Sequence, residues 1–321
     1  MYASGTAGSL SFENFSSSGS VNTGNAEGGL TDSAAAATAM ATGVKVLNGV
    51  VSVALPGDGT PLETVLEYFQ DSGKSTGLVT TTFVTHATPA SFGAHEPSRN
   101  NFANIASDYL NDSRPNVLLG GAAYLTQEAA ESTGYTVVTD YNGLLSLDTE
   151  SESMVSGQFG GGNMPYELDG LGGLPHLSEM TLSALQILDN DPDGFFLMVE
   201  GGLIDDASHA NDIERAIWET IELSNAVAVA MEWGNSHPDT LLIVTADHET
   251  GGLQVLANNG AGNLPTVTWG TTGHTSTPVP VFAQGIGAES VFGTMENTDI
   301  FHVMINSGNI HSTGLLQLRL P

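Results

Sequence analysis

Six acidic and histidine side chains between residues 200 and 274 have the chemical types and the spacing of metal ligands. In chain order they are Glu200, Asp205, His209, Asp247, His248 and His274. Asp205 and His209 lie four residues apart, which places both side chains on one face of a helix turn. Zinc accepts carboxylate oxygens and imidazole nitrogens, and three protein ligands leave it one position for a substrate. The pair can therefore share one ion.

The other candidates stand at the ends of strand-like runs. Glu200 closes the run FFLMVE, and Asp247 and His248 follow the run LLIVT. Residues just beyond a strand end can converge on one ion because their side chains no longer alternate between the two faces of the sheet. Any one of them alone is more often an ordinary surface acid or a capping or core histidine than a metal ligand. The ordered set is what indicates a site for two or three metal ions.

A candidate nucleophile lies in the segment LTDSAAAATAMATG, where Thr31, Asp32 and Ser33 directly precede an alanine-rich helix. The simpler interpretation is a helix cap, because these residue types are favoured there. A helix start also offers free N–H groups and a partial positive charge, which suit an anion and a serine alkoxide. Metal coordination is one way to activate such a serine. Both interpretations stay open on these residues alone.

Basic residues are scarce, which makes Arg99 in HATPASFGAHEPSR informative. Six Lys and Arg stand against 36 Asp and Glu, a formal net charge of -30 on 321 residues. An arginine fork binds two phosphate oxygens at once, and a solvated surface arginine is the alternative. The charge excludes nucleic acid as a partner and disfavours anionic membranes. It also suggests a high-salt organism, because salt screens the self-repulsion of an acidic chain.

Apolar strand-like segments alternate with helix-like segments along the chain. This alternation predicts an α/β fold with a mostly parallel central sheet and helices on both faces. We expect one domain over 1–321, a helix beginning near Pro61, and an irregular surface excursion at about 150–173, where Gly and Ser are frequent. With no cysteines, disulfides and thiolate chemistry are excluded. Met1 to Leu10 has no features of a secretory signal, and no stretch is apolar enough to span a membrane.

Five segments resemble the alkaline phosphatase family, in the order in which that family has them. They are TDSAAAATAMATG, HATPASFGAHEPSR, MVEGGLIDDASHAND, TADHETGG and TTGHTSTPVPVFAQG, and the resemblance runs from about Leu10 to Asn306. It implies an alkaline-phosphatase-like fold and hydrolysis of small phosphate monoesters, which releases inorganic phosphate. It also implies export and a homodimer.

The resemblance implies a role for each matching residue. Ser33 matches the nucleophile that forms a phosphoserine, and Arg99 matches the residue that binds phosphate oxygens. Two Zn²⁺ ions and one Mg²⁺ ion are expected, with Asp205, His209 and His274 at the first zinc, Asp247 and His248 at the second, and Thr88 and Glu200 at the magnesium. His86 and Asp206 stand beside these ligands, where His86 can bias the magnesium site toward zinc and Asp206 replaces the bulky or basic residue of many relatives.

One family feature is missing. Relatives begin with a strand ending in Gly-Asp-Gly, whose aspartate bridges the second zinc and the magnesium, and no such segment precedes Ser33. Either the sequence is truncated or the chain lacks this strand, which would leave two metal sites short of a ligand. We then expect a gap in the sheet unless another segment or chain fills it. The last residues, GNIHSTGLLQLRLP, do not resemble the C-terminus of the family.

Two alternative functions follow from these observations. A phosphodiesterase or sulfatase of the same superfamily shares the metal, aspartate and histidine arrangement in outline. A catalytically impaired protein that binds metal or phosphate would account for the absent bridging aspartate. The nucleophile segment and Arg99 favour phosphate monoesters.

Overall fold

The computed structural model describes Tyr2, residues 10–307 and the backbone of 312–317. Most of the first ten residues, where no secretory signal is expected, lie outside this part. The described strands are β1 (Ser17–Asn22), β2 (Ser75–Phe83), β3 (Val117–Gly121), β4 (Thr136–Val138), β5 (Val155–Gln158), β6 (Phe195–Glu200), β7 (Thr240–Thr245), β8 (Glu249–Thr250), β9 (Gln254–Ala257), β10 (Thr266–Thr268), β11 (His274–Thr275), β12 (Val279–Gly285), β13 (Gly293–Glu296) and β14 (Ser312–Gln317).

Ten α-helices accompany these strands in the described part of the chain. They are α1 (Ser33–Thr42), α2 (Val65–Asp71), α3 (Ala87–Gly93), α4 (Phe102–Asn111), α5 (Gln127–Ser132), α6 (Tyr141–Leu145), α7 (Leu177–Leu188), α8 (Leu203–His209), α9 (Ile213–Ser236) and α10 (Asn297–Ser307). Within the part of the chain that the structure describes, we find no helix that combines the length and the hydropathy of a membrane span.

One ten-stranded sheet has the order β13-β1-β12-β7-β14-β6-β2-β3-β5-β4. The seven strands from β7 to β4 run parallel, and β12 joins β7 in the antiparallel sense. Alternating side chains of β6 enter two separate cores, Phe196 and Met198 on one face and Leu197 and Val199 on the other. Because helices cover both faces, β3, β6 and β7 are buried along their whole length rather than on alternate residues. This confirms the predicted fold class.

The expected gap is filled by β14, which lies between β6 and β7 and is parallel to both. Its register places Gln317 beside Glu200 on one side and Thr245 on the other. The segment that does not resemble the family C-terminus therefore occupies a central position in the sheet. Residues 308–311 and 318–321 of that segment lie outside the described part of the chain.

Two local predictions were wrong. The stretch at 150–173 contains β5, a buried strand that pairs with β3 and β4. Its Gly157 packs tightly, since a Cβ there would lie 2.6 Å from the side chains of Leu119 and Phe159. The helix predicted from Pro61 begins at Val65, because Pro61 forms an isolated bridge with Val53.

Candidate active site

The parallel strands point their carboxyl ends at one edge of the sheet, where ligands bind in open α/β folds. Glu200 is the last residue of β6, and Asp247 follows β7 by two positions. Candidate ligands from segments far apart in sequence therefore lie together at the carboxyl edge of the sheet.

Three of these ligands meet at one point. Asp205 and His209 lie on α8, and His274 opens β11, which pairs with β8. Nε2 of His209 lies 3.1 Å from Nε2 of His274, and Oδ1 of Asp205 lies 3.5 Å from the first and 3.8 Å from the second. All three ligand atoms lie within 4.8 Å of one another, so one ion can contact them together.

Backbone carbonyls set the tautomers of the two imidazoles. Nδ1 of His209 lies 2.6 Å from the carbonyl of Thr272, and Nδ1 of His274 lies 2.8 Å from that of Thr31. A carbonyl only accepts, so each Nδ1 carries the proton and each Nε2 presents a lone pair. Two facing lone pairs and a carboxylate oxygen are the donor set that zinc takes, and carbonyl-bound Nδ1–H groups orient ligand histidines in this way.

A buried chain of polar contacts continues from Asp205 to the second pair. The hydroxyl of Thr250 donates to Oδ1 of Asp205 at 2.5 Å, so its oxygen is left to accept from Nδ1 of His248 at 3.2 Å. The Nε2 lone pair of His248 then faces Oδ2 of Asp247 at 3.3 Å and Oγ of Ser33 at 3.1 Å.

Ser33 is the first residue of α1 and is buried. Asp32 caps the helix by accepting from the amide of Ala35, so the serine oxygen lies at a helix N-terminus with its partial positive charge. The cap is therefore Asp32, and the candidate nucleophile Ser33 is the first residue inside the helix.

Arg99 is fixed beside this helix start. Its Nη1 donates to Oδ2 of Asp32 at 3.0 Å, and its Nη2 lies 3.1 Å from Nε2 of His86. Burial raises the pKa of Asp32, but the amides of Ala35 and Gly49 together with Arg99 outweigh burial and lower it below the ordinary value. The carboxylate therefore stays charged and holds the guanidinium close to Ser33.

Glu200 lies fully buried in an oxygen-rich pocket. Thr80 donates to its Oε2 at 2.6 Å, and the hydroxyl of Thr82 lies 3.4 Å from the same oxygen. A Cβ at Gly202 would lie 2.5 Å from the Thr82 methyl group and 3.2 Å from the Glu200 carboxyl, so only glycine fits there. Thr88 is buried in the first turn of α3. Carboxylate and hydroxyl oxygens suit magnesium.

The two residues expected beside the ligands have different surroundings. His86 precedes α3, contacts Arg99 and meets the ring of Phe83 edge-on. Asp206 accepts from the side chain of Asn163 at 2.8 Å, which ties α8 to the segment after β5.

Sequence reasoning missed Thr250, Thr80 and Thr82. Thr80 and Thr82 are polar residues inside a strand that is buried except at its two ends, and buried hydroxyls require partners. That signal was available in the run GLVTTTF.

The fold and this grouping of residues define an α/β protein with a candidate metal centre at the carboxyl edge of its sheet. Comparisons with known proteins give the family. A family model described as alkaline phosphatase matches residues 3–266. Alkaline phosphatase 3 of Bacillus subtilis is 41% identical over 72% of this chain and 52% of its own length. The Escherichia coli alkaline phosphatase is 30% identical over 86% of this chain and 73% of its own length.

A solved structure, that of a cold-active alkaline phosphatase from a psychrophilic Shewanella species, superposes with a TM-score of 0.84. It is 32% identical and covers 92% of this chain and 90% of that one. The chain belongs to the alkaline phosphatase family. It spans about half the length of the first Bacillus subtilis relatives that it matches.

Proposed function

We propose that this protein hydrolyses phosphate monoesters through a phosphoserine on Ser33. The observation that carries the proposal is the 3.1 Å contact between Oγ of Ser33 and Nε2 of His248. His248 also stacks on His274, with ring centroids 3.5 Å apart, so the candidate nucleophile adjoins the ligand cluster. Family membership supports the same reaction class.

The reaction has two displacements at phosphorus. Oγ of Ser33 forms a bond to phosphorus while the ester P–O bond breaks and the alcohol leaves. Water then attacks the phosphoserine, phosphate departs, and Oγ regains its proton. Phosphoryl transfer needs chiefly positioning and charge stabilisation, and the N-terminus of α1 supports negative charge on Oγ.

Three groups of residues would hold the metals. We assign Asp205, His209 and His274 to a first zinc, Asp247 and His248 to a second, and Glu200 and Thr88 to a magnesium. Bound metal ions lower the pKa of oxygen nucleophiles and neutralise charge on attacking and leaving oxygens. Without them the carboxylates at this edge would repel a phosphate dianion.

Arg99 is proposed to bind the non-bridging phosphate oxygens. Asp32 and His86 already fix the plane of its guanidinium next to Ser33, so little side-chain entropy is lost on binding. This arrangement favours monoesters, which offer oxygens without a second organic group. Export and a homodimer stay proposals that rest on family membership alone.

The test is turnover of a simple aryl phosphate in zinc and magnesium. We expect Ser33→Ala to lose all measurable release of phosphate, and Ser290→Ala, which changes an exposed serine, to keep the wild-type rate. Unchanged turnover in Ser33→Ala would reject the nucleophile. A higher rate with a diester or a sulfate ester than with the monoester would favour the alternative hydrolases. Metal binding without any turnover would favour the impaired protein.

A further inference from the structure

Three aromatic rings form a cluster at the edge of the sheet that carries the active site. Phe83 ends β2, Phe102 opens α4, and Tyr124 lies in the loop after β3. The rings of Phe102 and Tyr124 stack with centroids 4.6 Å apart, and both meet Phe83, at 5.3 and 5.9 Å. We call these three residues the aromatic platform.

The platform is continuous with the proposed phosphate site. The ring of Phe83 meets that of His86 edge-on at 5.1 Å, and Nε2 of His86 lies 3.1 Å from Nη2 of Arg99. A ligand whose phosphate lies on Arg99 therefore has the platform on one side. Two ring contacts separate Arg99 from Tyr124, so an aromatic group on that ligand reaches Tyr124 only through a spacer.

Tyr124 has the features of a ligand-binding residue rather than a core residue. The residue is 56% exposed although its ring packs against those of Phe83 and Phe102. Its backbone has φ 66°, in the left-handed region that few residues with a Cβ adopt. Such strained residues gather at ligand sites, where surrounding structure holds them in place.

We propose that the aromatic platform is a leaving-group subsite for a heteroaromatic base carried on a sugar-sized spacer, as in a nucleoside 5′-monophosphate. Bases stack on aromatic side chains because every base has a π-face. An exposed ring stacked on a second ring offers a rigid face at little cost in entropy. This inference rests on the proposed function, because it places the phosphate of the ligand on Arg99.

The experiment compares adenosine 5′-monophosphate with ribose 5-phosphate. The leaving group of each is a primary alcohol, and only the nucleotide carries a base. We expect Tyr124→Leu to lower kcat/KM for the nucleotide about tenfold, equivalent to about 1.4 kcal/mol, and to leave ribose 5-phosphate within about twofold of wild type. Tyr124→Phe keeps the ring and is expected to retain the wild-type preference. Turnover of ribose 5-phosphate also shows that each variant is folded.

Three outcomes would overturn the subsite. They are an equal loss for both substrates, no loss for either, and a loss in Tyr124→Phe as large as in Tyr124→Leu. If wild-type protein hydrolyses neither these two substrates nor the aryl phosphate, the proposed function fails instead. Calorimetric binding of the two compounds then decides the subsite, which requires tighter binding of the nucleotide to wild type than to Tyr124→Leu.

Discussion

Oγ of Ser33 lies 3.1 Å from Nε2 of His248. This contact joins the first residue of α1 to a histidine beyond β7, and the two are 215 residues apart in sequence. The hydroxyl of Thr250 fixes the proton of His248 on Nδ1 and leaves the Nε2 lone pair toward the serine. The orientation of one imidazole thus connects the candidate nucleophile to the ligand cluster.

Thr250→Val should weaken zinc binding by about 10- to 100-fold, the usual effect of removing a hydrogen-bond partner of metal ligands. The valine has the shape of threonine but neither donates to Asp205 nor accepts from His248. Zinc affinity, measured by competition with a chromogenic chelator, checks this. Thr250→Ser keeps the hydroxyl and should bind like wild type, whereas equal affinity in all three proteins would contradict the assigned proton positions.

Removal of metal should destabilise the fold, because the lone pairs of His209 and His274 and the carboxylate of Asp205 then face one another with nothing between them. A ligand at 100 times its Kd adds about 2.7 kcal/mol to stability. Thermal unfolding with a chelator, and again after zinc is restored, measures this shift. In His274→Ala the shift should be much smaller, and a chelator effect of wild-type size in that variant would place the stabilising ion elsewhere.

Glu219 predicts a loss of stability toward alkaline pH. Burial, reinforced by the charges of Glu167 and Glu222, raises its pKa from 4.5 to about 8. The folded state therefore holds a proton that the unfolded state releases above 4.5. The stabilisation from this proton is complete below pH 4.5 and disappears as the pH rises through about 8.

Glu219→Gln keeps the oxygen that accepts from the amide of Glu167 but does not titrate. Its unfolding free energy should fall less than that of wild type between pH 5 and pH 9, by at least about 1 kcal/mol. Urea unfolding at the two pH values provides the measurement. Glu232→Gln, an exposed change on the same helix, should follow wild type, and a wild-type slope in Glu219→Gln would refute the prediction.

The net charge of -30 predicts that salt stabilises the fold. The Debye length falls to about 3 Å at 1 M salt, so repulsion between surface carboxylates is largely screened. The midpoint of thermal unfolding should rise from dilute buffer to 1 M NaCl. A control in sucrose of the same osmolality separates charge screening from the general stabilisation by solutes that are excluded from the protein surface. A midpoint that is highest in dilute buffer would reject a high-salt protein.

The candidate ligands could be proposed from the sequence because their types and spacing are rare in combination. Asp205 and His209 lie one helix turn apart, as predicted, and the Nε2 atoms of His209 and His274 do converge. The hydroxyl of Thr250 was missed because its function depends on the positions of two other side chains. The sequence around Thr250 does not give the positions of those side chains in space.

The main sheet was predictable in class but not in every strand. Gly157 made β5 look like a loop, yet the absence of a side chain is what lets Leu119 and Phe159 pack there. The position of β14 between β6 and β7 depends on pairing with strands more than 70 residues away. Patterns within a short window do not contain that information.

The most direct test of the central claim is to trap the phosphorylated protein. Wild-type protein with zinc and magnesium is mixed with a phosphate monoester and quenched in acid. The protein is then digested, and the masses of its peptides are measured by mass spectrometry. We predict one phosphoryl group on the peptide that contains Ser33, and none on that peptide in Ser33→Ala. Substrate turnover with no phosphoryl group on Ser33, or with the group on another residue, would contradict the account.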